Sequence, residues 1–230
     1  MEERVDRILP VGVSRTDWFF RSSFREKAEQ HVQSTLAQMA PDLHGEDGKK
    51  RRIILYAPTF RGSVGHAKAP DRMDLVQMAE ELREDYILLI KQHPFVKNRP
   101  AVPKEAADFA FDVSDRLPVE ELMTAADICI TDYSSIVFEY SLFEKPILFF
   151  AYDLEAYEQE RGFYYPVQEM MPGPAAKDTR ELVREIRQAE RSFDLPRVRE
   201  FKYRFMGGCD GHATARILHL CDEVRAGKKS

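Results

Sequence analysis

The run Asp127-Ile-Cys-Ile-Thr-Asp-Tyr-Ser-Ser-Ile-Val-Phe-Glu-Tyr140 limits what this chain can fold into more than any other stretch. Asp127 to Thr131 reads as a short buried strand, with Ile128 and Ile130 apolar. Asp132-Tyr133-Ser134-Ser135 then supplies a turn and helix-capping hydroxyls, and Ile136, Val137 and Tyr140 recur at helical spacing. A strand that turns straight into a helix leaves unpaired backbone N–H groups and a positive dipole end beyond its carboxyl edge. A phosphate fits there. Glu139 lies one helical turn beyond Ser135, where its carboxylate can accept hydrogen bonds from ribose hydroxyls. A plain capped helix with a solvated Glu fits the same pattern, so the rest of the chain must decide.

Other apolar runs have the character of buried parallel strands: Arg52-Ile-Ile-Leu-Tyr-Ala57, Tyr86-Ile-Leu-Leu-Ile90 and Pro146-Ile-Leu-Phe-Phe150, with Phe109-Ala-Phe-Asp112 a weaker case. Helical periodicity falls between them, at Met73 to Leu82 and Pro118 to Ala125, and again at Thr179 to Glu190 and Thr214 to Val224. Upstream, Arg7 to Gly12 reads as a short strand, and an aromatic cluster from Trp18 opens a helical stretch toward Met39. The aromatic stretch from Tyr157 to Pro166 reads as a loop. The segment between the last two helices, with Pro196 and Gly207-Gly208, reads as a separator. Strands alternating with helices predict an α/β fold with a Rossmann-like parallel sheet and helices on both faces. The expected division is 1–50 as a crossing strand, helix and loop, and 51–230 as a nucleotide-binding domain. Ligands of such sheets sit outside the carboxyl ends of the strands. The polar residues gathered there are Thr59 and Arg61, Lys91 and His93, Asp132 to Ser135, and Asp153.

Several chemistries have no support. A net charge of −5 argues against general nucleic-acid binding, and the three cysteines are too widely spaced for a zinc site. They read as reduced thiols. No G-x-G-x-x-G follows a strand, no G-x-x-x-x-G-K-[ST] loop is present, and no G-x-S-x-G elbow surrounds Ser134 or Ser135. Neither a metal nor a cofactor is expected. No apolar run reaches the length of a bilayer span.

The motif order Leu55-Tyr-Ala-Pro-Thr-Phe-Arg61, Lys91-Gln-His-Pro94, Thr131-Asp-Tyr-Ser-Ser135 and Arg161-Gly-Phe163 resembles the CDP-glycerol glycerophosphotransferase family of teichoic acid primases and polymerases. Gly12 to Asp17, Glu144 to Asp153, and Asp210-Gly211 with Arg216 are similar to further motifs of that family. The resemblance runs from about Ile8 to about Leu218 and implies the C-terminal, donor-binding half of a glycosyltransferase-B architecture. The family's acceptor domain, with its basic histidine, has no counterpart in this sequence. The chain is therefore expected to be a fragment or one half of a split enzyme, with an acceptor-domain chain as partner.

By that resemblance the donor is CDP-glycerol, and glycerol phosphate passes to a polyol-phosphate or glycan hydroxyl with release of CMP. Ser134 and Ser135 would meet the diphosphate, His93 and Arg61 would neutralise it as the catalytic pair without a metal, and Glu139 would hold the ribose. Thr59, Lys91, Thr131, Asp132, Tyr133, Asp210 and Gly211 complete the expected substrate-binding set, Asp132 as an orienting group because carboxylate and phosphate repel. The implied setting is the cytoplasm, with peripheral contact at the inner face of the membrane. Two other readings use the same features: a nucleotide-sugar glycosyltransferase, and a nucleotide-binding module without turnover.

Overall fold

The computed structural model describes residues 8–40 and 43–227. Six strands form one parallel sheet among these residues: β1 (Arg52–Tyr56), β2 (Tyr86–Ile90), β3 (Ala110–Asp112), β4 (Ile128–Thr131), β5 (Ile147–Phe150) and β6 (Ala175–Ala176). Their order is β3-β2-β1-β4-β5-β6, the doubly wound arrangement. The helices are α1 (Ser22–Met39), α2 (Leu75–Leu82), α3 (Val119–Ala125), α4 (Ile136–Ser141), α5 (Leu154–Arg161), α6 (Val167–Met170), α7 (Thr179–Arg191), α8 (Leu195–Met206) and α9 (Ala213–Arg225). The expected fold class is the one observed.

Strand alternation divides the core in two. Ile53, Leu55 and Ala57 face one side of the sheet, where they meet Val32 and Leu36 of α1, Leu122 and Met123 of α3, Val137 and Tyr140 of α4, and Phe201 of α8. Ile54 and Tyr56 face the other, against Met78 and Leu82 of α2 and Leu182 and Ile186 of α7. Leu55 is wholly buried, so truncation to Ala would cost about 2–5 kcal/mol. Asp127 sets the register at the foot of β4: its carboxylate accepts from Ile53 N at 2.8 Å while its own N–H donates to Ile53 O at 2.8 Å.

Three local expectations are corrected. Arg7 lies outside the described residues, and Ile8 to Gly12 pair with no strand. Gly12 instead bends with φ +86° against Gly208, so close that a Cβ would stand 2.1 Å from Gly208 O. A 3-10 helix, Ser14–Phe20, follows, and its Asp17 caps α9 by accepting from Ala213 N at 3.0 Å and Thr214 N at 2.9 Å. Second, the stretch read as a loop from Tyr157 begins inside α5, a helix rich in good helix formers. Third, α8 occupies the supposed separator. Pro196 sits in its first turn, where a missing N–H is no loss, and Asp194 caps it through Arg197 N at 3.0 Å.

Candidate functional site

The sheet order reverses between β1 and β4, so the loops leaving these two strands part to opposite sides and open a crevice. Asp132, the first residue after β4, turns inward and is 2% exposed. Its Oδ1 accepts from Thr59 N at 2.9 Å, Thr59 Oγ1 at 2.8 Å and Tyr133 N at 2.6 Å. Its Oδ2 accepts from Arg61 Nη1 at 2.9 Å. One carboxylate thus ties the loop after β1 to the turn after β4. Burial pushes the Asp132 carboxyl up, against the opposing pull of the Arg61 guanidinium and the Thr59 donors. The Asp132 carboxylate is spent on Thr59, Tyr133 and Arg61 and does not face the crevice.

Arg61 departs from its expected freedom. Nε and Nη2 donate to the two oxygens of Asp153 at 2.6 and 3.0 Å, while Nη1 serves Asp132 and Thr59. The bidentate pairing with Asp153 and the contact with Asp132 hold the guanidinium firmly charged, its acidity far weaker than usual, despite burial. Its charge is matched by two carboxylates, so Arg61 is a structural clasp with no surplus positive charge. Asp153, whose carboxyl Arg61 and the Tyr133 hydroxyl hold below its ordinary value against the push of burial, also accepts from Tyr133 Oη at 3.0 Å. The Tyr133 ring lies 4.1 Å from that of Tyr157, with Phe163 edge-on at 5.7 Å.

The loop after β2 brings His93 to the same end of the sheet. Its ring packs against both Phe60, at 4.9 Å, and Phe95, at 4.7 Å, the two phenylalanines also touching each other, and burial lowers its pKa. Phe95 N donates to His93 Nδ1 at 3.2 Å, so the neutral ring carries its proton on Nε2. His93 is therefore a neutral donor; no cation stands there. Lys91, expected at the ligand, reaches away: Nζ donates to the carbonyls of Ser114 at 2.7 Å and Leu117 at 2.6 Å, binding the loop before α3.

Thr131 is also corrected. It is fully buried and its hydroxyl donates to Ala57 O at 2.8 Å, clamping β4 to β1. Ser134 is half-buried, with Oγ accepting from Ile136 N at 3.3 Å, and Ser135 is exposed. Glu139 faces the crossing segment: Arg15 Nε and Nη2 both lie 2.5 Å from its Oε1. Asp210 and Gly211, expected at the substrate, form a staple. Asp210 receives Arg216 through both oxygens at 2.8 and 2.9 Å, and Arg216 Nε in turn holds Val11 O at 3.0 Å. Gly211, with φ +92°, lies against Phe20, leaving no room for a Cβ. This motif fastens the crossing segment to α9. Asp153, gathered at the ligand edge by the sequence, forms part of the site's wall together with Tyr157 and Phe163, to which the sequence assigned no role.

A family model described as CDP-Glycerol:Poly(glycerophosphate) glycerophosphotransferase matches residues 3–222. The teichoic acid ribitol-phosphate primase of Bacillus spizizenii is 36% identical over 223 residues, covering 94% of this chain and 53% of that protein. The teichoic acid glycerol-phosphate primase of Bacillus subtilis is 32% identical over 220 residues, covering 95% and 52%. The solved wall teichoic acid polymerase TagF has a TM-score of 0.76 at 28% identity, covering 100% of this chain and 55% of that one. A TagF variant soaked with CDPG matches with the same TM-score. This chain spans about half the length of these relatives. It belongs to the CDP-glycerol:poly(glycerophosphate) glycerophosphotransferase family.

Proposed function

We propose that this chain binds CDP-glycerol in the crevice between β1 and β4 and presents it for transfer of glycerol phosphate to an acceptor hydroxyl. One observation carries the reading: in a chain of this family, the turn after β4 draws Asp132 inward and leaves Ser134 and Ser135 toward the surface. A phosphate there meets hydroxyls and avoids the carboxylate. Because Ser134 Oγ accepts from Ile136 N, its own proton remains free to donate to an anionic oxygen. His93 Nε2–H is a second neutral donor from the neighbouring loop. Glu139 is the ribose acceptor of this reading, with Arg15 beside it.

In the proposed reaction the acceptor oxygen attacks the phosphorus that bears glycerol. A new P–O bond forms, the P–O bond to CMP breaks, and the electron pair leaves with CMP. The hydroxyl proton passes to a general base. His93 does not suit that role, since its unprotonated nitrogen already holds Phe95 N–H. We assign the base to an acceptor-binding domain, in the same polypeptide or in a partner chain. Catalysis by this half then rests on position and on donors aimed at the phosphate oxygens. The relatives named above include glycerol- and ribitol-phosphate primases, so CDP-ribitol is the natural competitor donor. The proposed setting is the cytoplasm, with acceptors at the membrane face; no helix among the described residues is long and apolar enough to cross a membrane.

Calorimetric titration with CDP-glycerol, CDP-ribitol and UDP-glucose tests the reading. Saturable binding of a CDP-polyol with UDP-glucose at least 100-fold weaker is expected. Preferential binding of UDP-glucose would support the nucleotide-sugar glycosyltransferase alternative and overturn this one.

A further inference from the structure

We propose that Arg161 is the guanidinium that receives the donor diphosphate, held over the crevice by the rings of Phe60 and Tyr157. The inference rests on the donor reading above. A diphosphate calls for positive charge that nearby carboxylates have not already matched, and several cations near the crevice are already committed or neutral. Arg61 is clasped by Asp132 and Asp153. Lys91 is turned onto two backbone carbonyls, and His93 is neutral. Arg15 is paired with Glu139, and Arg99 with Asp115 at 2.5 Å.

Arg161 differs from all of these. It ends α5, its side chain is exposed, and no carboxylate pairs with it among the described residues. Its carbon Cζ lies 4.8 Å from the Phe60 ring centre and 5.5 Å from that of Tyr157. Those rings are parts of the wall already described: Phe60 packs on His93 and Phe95, and Tyr157 stacks on Tyr133. Arg161 therefore rests on one ring from the loop after β1 and one from α5, and those two rings pack in turn on side chains from the loops after β2 and β4. Stacking uses the faces of the guanidinium and leaves the N–H groups around its edge in plane, the arrangement that suits bidentate phosphate recognition. One of those groups is engaged, Nη2 donating to Gly62 O at 2.6 Å. Nε and Nη1 remain for the anion. Gly162, with φ +69°, then stops the helix and returns the chain so that Phe163 closes on Tyr133.

A purely structural Arg161, pinning the loop at Gly62, predicts a different outcome, and ligand charge separates the two. The wild-type chain, Arg161→Gln and Arg161→Lys are titrated with CDP-glycerol, CMP and cytidine. A charge-assisted contact of about 1.5–3 kcal/mol corresponds to about a 10- to 100-fold loss. Arg161→Gln should weaken CDP-glycerol by that factor, CMP by less, and cytidine not at all, with Arg161→Lys between. The salt dependence of CDP-glycerol binding should also flatten in Arg161→Gln. Equal weakening of all three ligands, or wild-type affinity for CDP-glycerol in Arg161→Gln, overturns the inference while leaving the donor reading intact. A wild-type chain that binds neither CDP-glycerol nor CMP removes the donor reading, and this inference with it.

Discussion

Replacing Asp132 by Asn tests the clasp between β1 and β4 with almost no change of shape. The carboxylate is 2% exposed and accepts four hydrogen bonds, one of them from a guanidinium. An amide has one oxygen to serve these donors, and its NH2 would face either the Thr59 and Tyr133 donors or Arg61. At the same time Arg61 loses one of its two balancing charges and keeps Asp153. Breaking a buried pair in this way costs about 3–5 kcal/mol. For a chain of this size, about 2–4 °C is lost per kcal/mol, so the melting temperature should fall by roughly 6–20 °C. Scanning calorimetry on the two proteins at pH 7 measures it directly. Conversely, adding Arg61→Met and Asp153→Asn to Asp132→Asn should recover part of the loss, since no buried charge is then left unpaired and the two amide oxygens can still serve the Thr59 and Tyr133 donors. If Asp132→Asn melts within about 1 °C of wild type, the carboxylate does not hold the crevice together.

Three further outcomes follow from other contacts. Glu139→Ala should weaken CDP by about 1–3 kcal/mol while sparing a ribose-free diphosphate, and equal loss for both would place Glu139 outside ribose binding. Burial lowers the His93 pKa below 6.5, so the unfolded chain binds more protons as pH falls through that value; its stability contribution is complete above pH 6.5 and is lost toward the folded pKa. Melting curves from pH 7.5 to 5.5 should therefore fall more steeply for wild type than for His93→Asn, and parallel curves would count against a neutral His93. Gly12→Ala, at φ +86° and 2.1 Å from Gly208 O, should cost more than about 1 kcal/mol in urea unfolding, and an unchanged midpoint would mean the crossing segment is not docked as described.

The sheet was legible because its strands are unbroken apolar runs ended by turn chemistry, as at Arg52 to Ala57 and Tyr86 to Ile90. The gathering of Thr59, His93 and Asp132 to Ser135 at one edge followed from parallel topology alone. Charge pairing was not legible. Arg61 meets Asp132 across 71 residues and Asp153 across 92, and no local pattern distinguishes such a clasp from a free ligand-binding arginine. For the same reason Lys91 read as a ligand, although its partners are carbonyls of the loop before α3. Asp210 and Gly211 read as ligand residues, although Asp210 pairs with Arg216 and Gly211 packs against Phe20. Helix α8 was hidden by Pro196, which breaks helices in their interior but is tolerated in their first turn.

A crystal of this chain grown or soaked with CDP-glycerol would show whether the donor lies across the carboxyl ends of β1 and β4. The diphosphate is expected within hydrogen-bond reach of the Ser134 and Ser135 hydroxyls and of Arg161, with Asp132 still turned inward on Thr59. Density for the nucleotide elsewhere, for instance in the arginine-lined groove between α2 and α7, with the crevice unchanged, would contradict it.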